Sequence, residues 1–204
     1  MTDAAQIYLI APADPEGAGF ADRLARVLDA APVAALRLAF GTADEARLIH
    51  LADAARDVAH ARDIPVILQD HLGLVGRLGL DGVHLTDGAR SVRKARGALG
   101  KEAVVGAWCG ASRHDAMTAG EIGGDYLSFG PAGETALGSG ERAERDLFAW
   151  WSEMIELPVV AEGALDPETI AALAPATDFV ALGEEIWRSD DPAVELRRLT
   201  AALR

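Results

Sequence analysis

The stretch from Gly123 to Gly140, G-G-D-Y-L-S-F-G-P-A-G-E-T-A-L-G-S-G, decides how the rest of the chain is read. Tyr126 to Phe129 is a short β-prone run that ends on Gly130-Pro131, and a glycine-rich loop holding Thr135 and Ser139 follows. A strand that empties into such a loop can cradle an anion, because unpaired amides in a turn point their positive ends at one place. Glycine and serine also make surface connections that bind nothing, so this stretch alone leaves both readings open.

Outward from it the same strand-then-helix unit recurs. Toward the N-terminus, Ile7 to Ala11 is an apolar run closed by Pro12, and Ala18 to Ala30 carries leucines and valine at helical spacing. Ala34 to Phe40 reads as strand, stopped by Gly41, and Thr42-Ala43-Asp44-Glu45 opens an alanine-rich helix to near Arg62. Pro65 to Gln69, Gly82 to Leu85 and Val104 to Cys109 are further strands, with helical segments at Leu72 to Leu78, Ser91 to Leu99 and Ser112 to Ile122. Toward the C-terminus, Asp146 to Ile155 is helical and carries Trp150 and Trp151, one expected to pack inward and the other to sit at an oligomer surface. Pro158 to Ala161 is strand, and Pro167 to Leu173 is a helix with proline in its favoured first turn. Phe179 to Leu182 is the last strand, and Asp190-Asp191 reads as the cap of a helix from Pro192 to the end.

Eight strands, apolar on both faces and alternating with helices, belong to a parallel sheet, and the strict alternation predicts a closed (β/α)8 TIM barrel. An open doubly wound sheet is the alternative, but no G-x-G-x-x-G follows the first strand to support it. The 204 residues, 50% of them hydrophobic, show no composition break and read as a single domain over 1–204. A net charge of -13 repels polyanions, which argues against nucleic acid as a partner. No stretch approaches the length of a membrane span, and the N-terminus lacks a basic segment followed by an apolar run. The single cysteine, Cys109, cannot close an internal disulfide; together these predict a soluble cytoplasmic protein, open to forming a homo-oligomer.

In a barrel the chemistry falls at the C-terminal ends of the strands. That gathers Arg37, Gln69, Asp70, His71, His84, Thr86, Asp87, Cys109, Gly130, Thr135, Glu162, Gly163, Gly183 and Glu184. His84, within a strand motif, reads as packed rather than catalytic. No base stands at a paired spacing from Cys109, which reads as a small buried thiol.

The D-G-V-H-L of Asp81 to Leu85, the G-D-Y-L-S-F-G-P of Gly124 to Pro131 and the P-V-V-A-x-G of Pro158 to Gly163 resemble thiamine-phosphate synthase, with the thiazole tautomerase as a close relative of the same small barrel. The likeness runs through almost the whole chain in order and spacing. It implies a barrel that joins an aminopyrimidine pyrophosphate to a thiazole phosphate, with Mg²⁺ holding the leaving pyrophosphate. Carried over by residue, it places Arg37 on the pyrophosphate, Asp70 on the metal, and Gln69, Cys109, Thr135, Gly163 and Gly183 around the substrates; the family's second metal aspartate, in its G-Q-x-D, falls at Ala89 here, so that Asp87 takes the metal only by a local shift.

The carry-over is partial. Where the family has Q-x-R-x-K this chain has Ala35, Arg37 and Ala39; the family's fifth-strand serine falls at Trp108 or Cys109. Its T-x-T-K becomes Thr135, Leu137 and Gly138, which removes a hydroxyl and the lysine, and its G-G after the seventh strand becomes Gly163-Ala164 with Glu162 alongside. Glu184, next to Glu185, replaces the serine after the eighth strand, and a carboxylate there opposes phosphate. Arg113 and Arg142 are the nearby cations that would compensate by swinging in. Three readings follow: the transferase; a related barrel that binds or isomerises an unphosphorylated thiazole or pyrimidine, with Glu162 or Glu184 as acid or base; and a non-catalytic ligand-binding relative.

Overall fold

The computed structural model describes residues 4–15, 19–135 and 141–203. Eight parallel strands close into a barrel in chain order: β1 (Gln6–Ile10), β2 (Ala35–Leu38), β3 (Val66–Gln69), β4 (Gly82–Leu85), β5 (Val104–Trp108), β6 (Tyr126–Phe129), β7 (Val159–Glu162) and β8 (Phe179–Leu182). Closure is made by β1 on β8, with Leu9 in register with Leu182. The open doubly wound alternative is thereby excluded. The intervening helices are α1 (Phe20–Leu28), α2 (Glu45–His60), α3 (Leu72–Val75), α4 (Val92–Leu99), α5 (Arg113–Glu121), α6 (Arg145–Met154) and α7 (Pro167–Leu173); α8 (Glu184–Trp187) and α9 (Pro192–Thr200) follow β8.

Most boundaries agree with the sequence reading to within a few residues, and β4, β6, β8 and α7 match to the residue. The short α8 was not foreseen. Ala18, the expected start of the first helix, lies outside the described residues. Caps explain where helices begin: the Asp44 carboxylate accepts from the amides of Ala46 and Arg47, Asp166 from Thr169 ahead of Pro167, and Asp191 from Ala193 and Val194.

Each strand sends alternate residues to opposite sides. One set, including Leu9, Leu36, Leu38, Val83, Leu127 and Phe129, packs against the helices, where Phe129 meets Phe148 and Trp151 edge to face. The other set fills the lumen, with Tyr8, Tyr126, Val160 and Ala181 forming a second cluster. Gly106 is where the lumen demands glycine, since an added Cβ would fall 2.0 Å from the Tyr126 ring. Trp151 is the inward ring of the tryptophan pair, while Trp150 is half-buried beneath the Arg113 guanidinium, 4.5 Å from its centroid.

The N-terminal face is stitched by a repeated device. The Asp81, Asp125 and Asp178 carboxylates, each just before an even-numbered strand, accept from the amides of Val66, Val105 and Val159 on the preceding strand, at 2.8 Å or less. In each case the aspartate's own amide returns a bond to the same valine's carbonyl. The aspartates of D-G-V-H-L and G-D-Y-L-S-F thus serve stability at the closed end, leaving the other end for chemistry. Among the described residues, no helix is long and apolar enough to cross a membrane.

Candidate active site at the barrel mouth

Two rims of the C-terminal face carry the polar groups. On the first, the chain leaves β3 through Asp70, held at φ +59, with its amide on the His84 carbonyl. The Asp70 carboxylate accepts from the Thr86 amide at 2.9 Å and from the Thr86 hydroxyl at 2.6 Å, so the loops after β3 and β4 fix its orientation. Asp87, next in the second loop, is exposed and accepts from the Ser91 hydroxyl at 2.7 Å. Gln69 is half-buried beside them. A cavity of about 560 Å³ opens here, lined in part by Thr42, Asp70, His71, Arg77 and Lys94. The cationic side chains that line this cavity with Asp70 are Arg77 and Lys94. Arg142, one of the arginines expected to compensate, is paired with Glu144, and Arg113 covers Trp150.

Arg37 lies deeper than the sequence suggests. It is only 4% exposed, and its two terminal nitrogens donate to the two Glu162 oxygens at 2.8 and 3.0 Å across the lumen. Burial alone would lower its pKa, but the Glu162 charge and hydrogen bonds outweigh that and the net shift is upward. The pair is neutral overall. Glu162, one of the two carboxylates read from sequence as an acid or base, is paired with a guanidinium within the barrel. While both terminal nitrogens are held there, the guanidinium has only its buried Nε without a partner.

Below this pair the lumen is a row of neutral polar groups. The Tyr8 and Tyr126 hydroxyls share a hydrogen bond of 2.6 Å, and the Tyr126 hydroxyl bonds His84 Nδ1 at 2.9 Å. Burial, reinforced by the Arg37 charge, holds His84 well below the ordinary histidine range, and burial pushes Tyr8 up to about 12. His84 is therefore neutral at pH 7 and packed, as its place in the motif indicated. At the end of β5, Trp108 is half-buried and approaches Gly130, where an added Cβ would lie 2.6 Å from the indole. Cys109 belongs to the helix-side core; its thiol is pushed up to about 12 by burial first and by the Asp115 charge second. Of the two residues that competed for the serine's place, Trp108 is the one near the mouth.

The second rim is formed by the loops after β6, β7 and β8. Thr135 and Arg142 line a cavity of about 550 Å³; Leu137, Gly138 and Ser139, the site of the missing lysine, lie outside the described residues. The β7 loop turns through Gly163 at φ +90 and Ala164 at φ +55. Glu184 is exposed and paired with Arg188 at 2.9 Å. Its neighbour Glu185 turns inward: Oε2 accepts from the Gly183 amide at 2.8 Å and Oε1 from the Leu165 amide at 3.2 Å. Sequence reasoning put the carboxylate of interest at Glu184. The unrecognised turn of α8 is what selects Glu185.

A closed parallel barrel with carboxylates, amides and a hydroxyl converging on its C-terminal face places the chain among the small (β/α)8 barrels that carry their chemistry there. Within that class it belongs to the thiamine monophosphate synthase family, whose sequence profile matches residues 7–186. The thiamine-phosphate synthases of Erythrobacter litoralis and Rhodospirillum centenum are each 38% identical to it, with 92% of this chain and 91% of each relative aligned. That of Hyphomonas neptunium is 34% identical, with 98% of this chain and 97% of the relative aligned. Among solved structures, the thiamine phosphate pyrophosphorylase from Pyrococcus furiosus shares the fold with a TM-score of 0.84 at 18% identity, covering 97% of this chain and 95% of that one. Among the described residues, no group of three or more His, Cys, Asp or Glu side chains is placed to hold a metal.

Proposed function

We propose that this chain is a transferase of thiamine biosynthesis that joins an aminopyrimidine pyrophosphate to a thiazole phosphate. The observation that carries the proposal is the near full-length match to thiamine-phosphate synthases at 38% identity. In the reaction the carbon–oxygen bond to pyrophosphate breaks, the electron pair leaves with the pyrophosphate, and the thiazole nitrogen forms the new carbon–nitrogen bond. Positive charge grows on the pyrimidine as the anion departs, so the rate depends on what holds the leaving group.

Mg²⁺ supplies that stabilisation when bound. A magnesium ion that travels with a diphosphate needs only one or two protein carboxylates. Asp70 and Asp87, hard oxygen donors on neighbouring loops, fit that requirement, and we assign them to the metal. Thr86 holds Asp70 in orientation through both carboxylate oxygens. Gln69 and Thr135 are assigned to substrate contacts, and Gly163 and Gly183 to the acceptor's end. Arg37 acts from beneath the mouth, where its pairing with Glu162 keeps an uncompensated carboxylate away from the substrates. The half-buried Trp108 takes over the position assigned to Cys109. A cytoplasmic setting belongs to the same proposal.

The test is single-turnover formation of thiamine phosphate from the two substrates, with and without Mg²⁺. Metal-dependent product is expected. No product at enzyme in excess over substrate retires the transferase reading.

A further inference from the structure

Barrels of this kind commonly seat a phosphate between the loops after strands seven and eight, on backbone amides beside a short extra helix. Here those loops already hold an anion. The Leu165 amide, after the turn through Gly163 and Ala164, donates to one oxygen of Glu185, and the Gly183 amide, directly after β8, donates to the other. One carboxylate thus takes an amide from each loop. Both partners are main-chain dipoles, whereas the adjacent Glu184 faces outward and is met by Arg188. The carboxylate is tethered two residues from one of its donors, so its local concentration there is high.

We infer that Glu185 is a specificity-determining residue: an internal anion that competes with the phosphate of the acceptor for the Leu165 and Gly183 amides. An entering phosphate has to displace the carboxylate and sit near its charge. Phosphorylated acceptor therefore binds more weakly than the loops alone would permit, and discrimination against the unphosphorylated thiazole alcohol narrows. The inference rests on the transferase reading for the identity of the acceptor; the competition itself does not require turnover.

Calorimetric titration of the whole chain with inorganic phosphate, thiazole phosphate and the thiazole alcohol tests it, using wild type, Glu185→Gln and Glu185→Ala. Both phosphate ligands are expected to bind about tenfold tighter to Glu185→Ala, the order expected on removing a unit charge a few ångströms from the ligand near the protein surface. Glu185→Gln should fall between, and the uncharged alcohol, which feels no charge repulsion, should change by less than about twofold. Phosphate binding that is unchanged or weaker in both variants overturns the inference and makes Glu185 a clamp that shapes the loops. Circular dichroism establishes that each variant is folded, and the near-isosteric Gln variant carries the test if the Ala variant is not. Glu184→Gln, which removes an equal charge one residue away, separates long-range repulsion from occupation: a gain equal to that of Glu185→Gln also overturns it. Failure of the transferase reading would register separately, as absence of product with the titrations intact.

Discussion

Glu162 inside the barrel and Asp70 on its rim are both carboxylates at strand ends, yet they meet different partners. Glu162 faces a guanidinium through two hydrogen bonds in the lumen, where the two side chains are largely buried, and the charges cancel. Asp70 faces a neutral amide and a neutral hydroxyl of Thr86, so its charge is oriented but not neutralised. A carboxylate whose charge is met by a guanidinium has little left for an incoming cation. One that is held in place by neutral donors keeps its charge for an incoming cation.

Glu162→Ala should break that contrast most visibly, because it leaves the Arg37 cation buried and unpaired. A loss of about 3–5 kcal/mol in urea unfolding is expected, with most of it recovered in the Arg37→Met, Glu162→Leu double variant. A loss below about 1 kcal/mol would mean that Glu162 is not what compensates Arg37. On the rim the effects should reverse. Asp70→Asn should slow single-turnover product formation by roughly a hundredfold or more while shifting unfolding by no more than about 1 kcal/mol, since asparagine tolerates the left-handed φ of +59 found at Asp70. Undiminished turnover would remove Asp70 from the proposed metal site.

The smallest effect is a pH slope that belongs to the lumen. His84 is held below its ordinary range by burial, so as pH falls below about 6.5 the unfolded chain takes up a proton that the folded chain refuses. Its contribution is fully present above that pH and is lost as pH falls toward the folded value, by up to about 1.4 kcal/mol per unit. His84→Gln should flatten this part of the stability profile relative to wild type. Parallel profiles would show that His84 does not titrate differently on folding.

The strand-and-helix rhythm was legible because burial on both faces leaves continuous apolar runs such as Val66 to Leu68 and Val159 to Ala161. The position of Asp70 on the rim was legible from its place after a strand. The Arg37–Glu162 pair was not, because its members are separated by 125 residues and meet only once the sheet closes. Nor did sequence settle Trp108 against Cys109, since a shift of one residue exchanges the two faces of a strand and only the ladder fixes it. Glu185 escaped for a related reason: α8 spans four residues, too short to show a hydrophobic period, and its first turn decides which of two adjacent glutamates points at the loops.

The three aspartate stitches at the closed end tie β3 to β4, β5 to β6 and β7 to β8, so the ring is built there from panels of two rather than from eight equal staves. The fourth panel, β1 with β2, keeps the backbone bond from the Ala34 amide to the Ile7 carbonyl but has alanine where the others have a carboxylate. The barrel's base therefore has a beat of two with one silent bar. That seam joins the first strand to the second, beside the edge where the last strand comes round to close the ring.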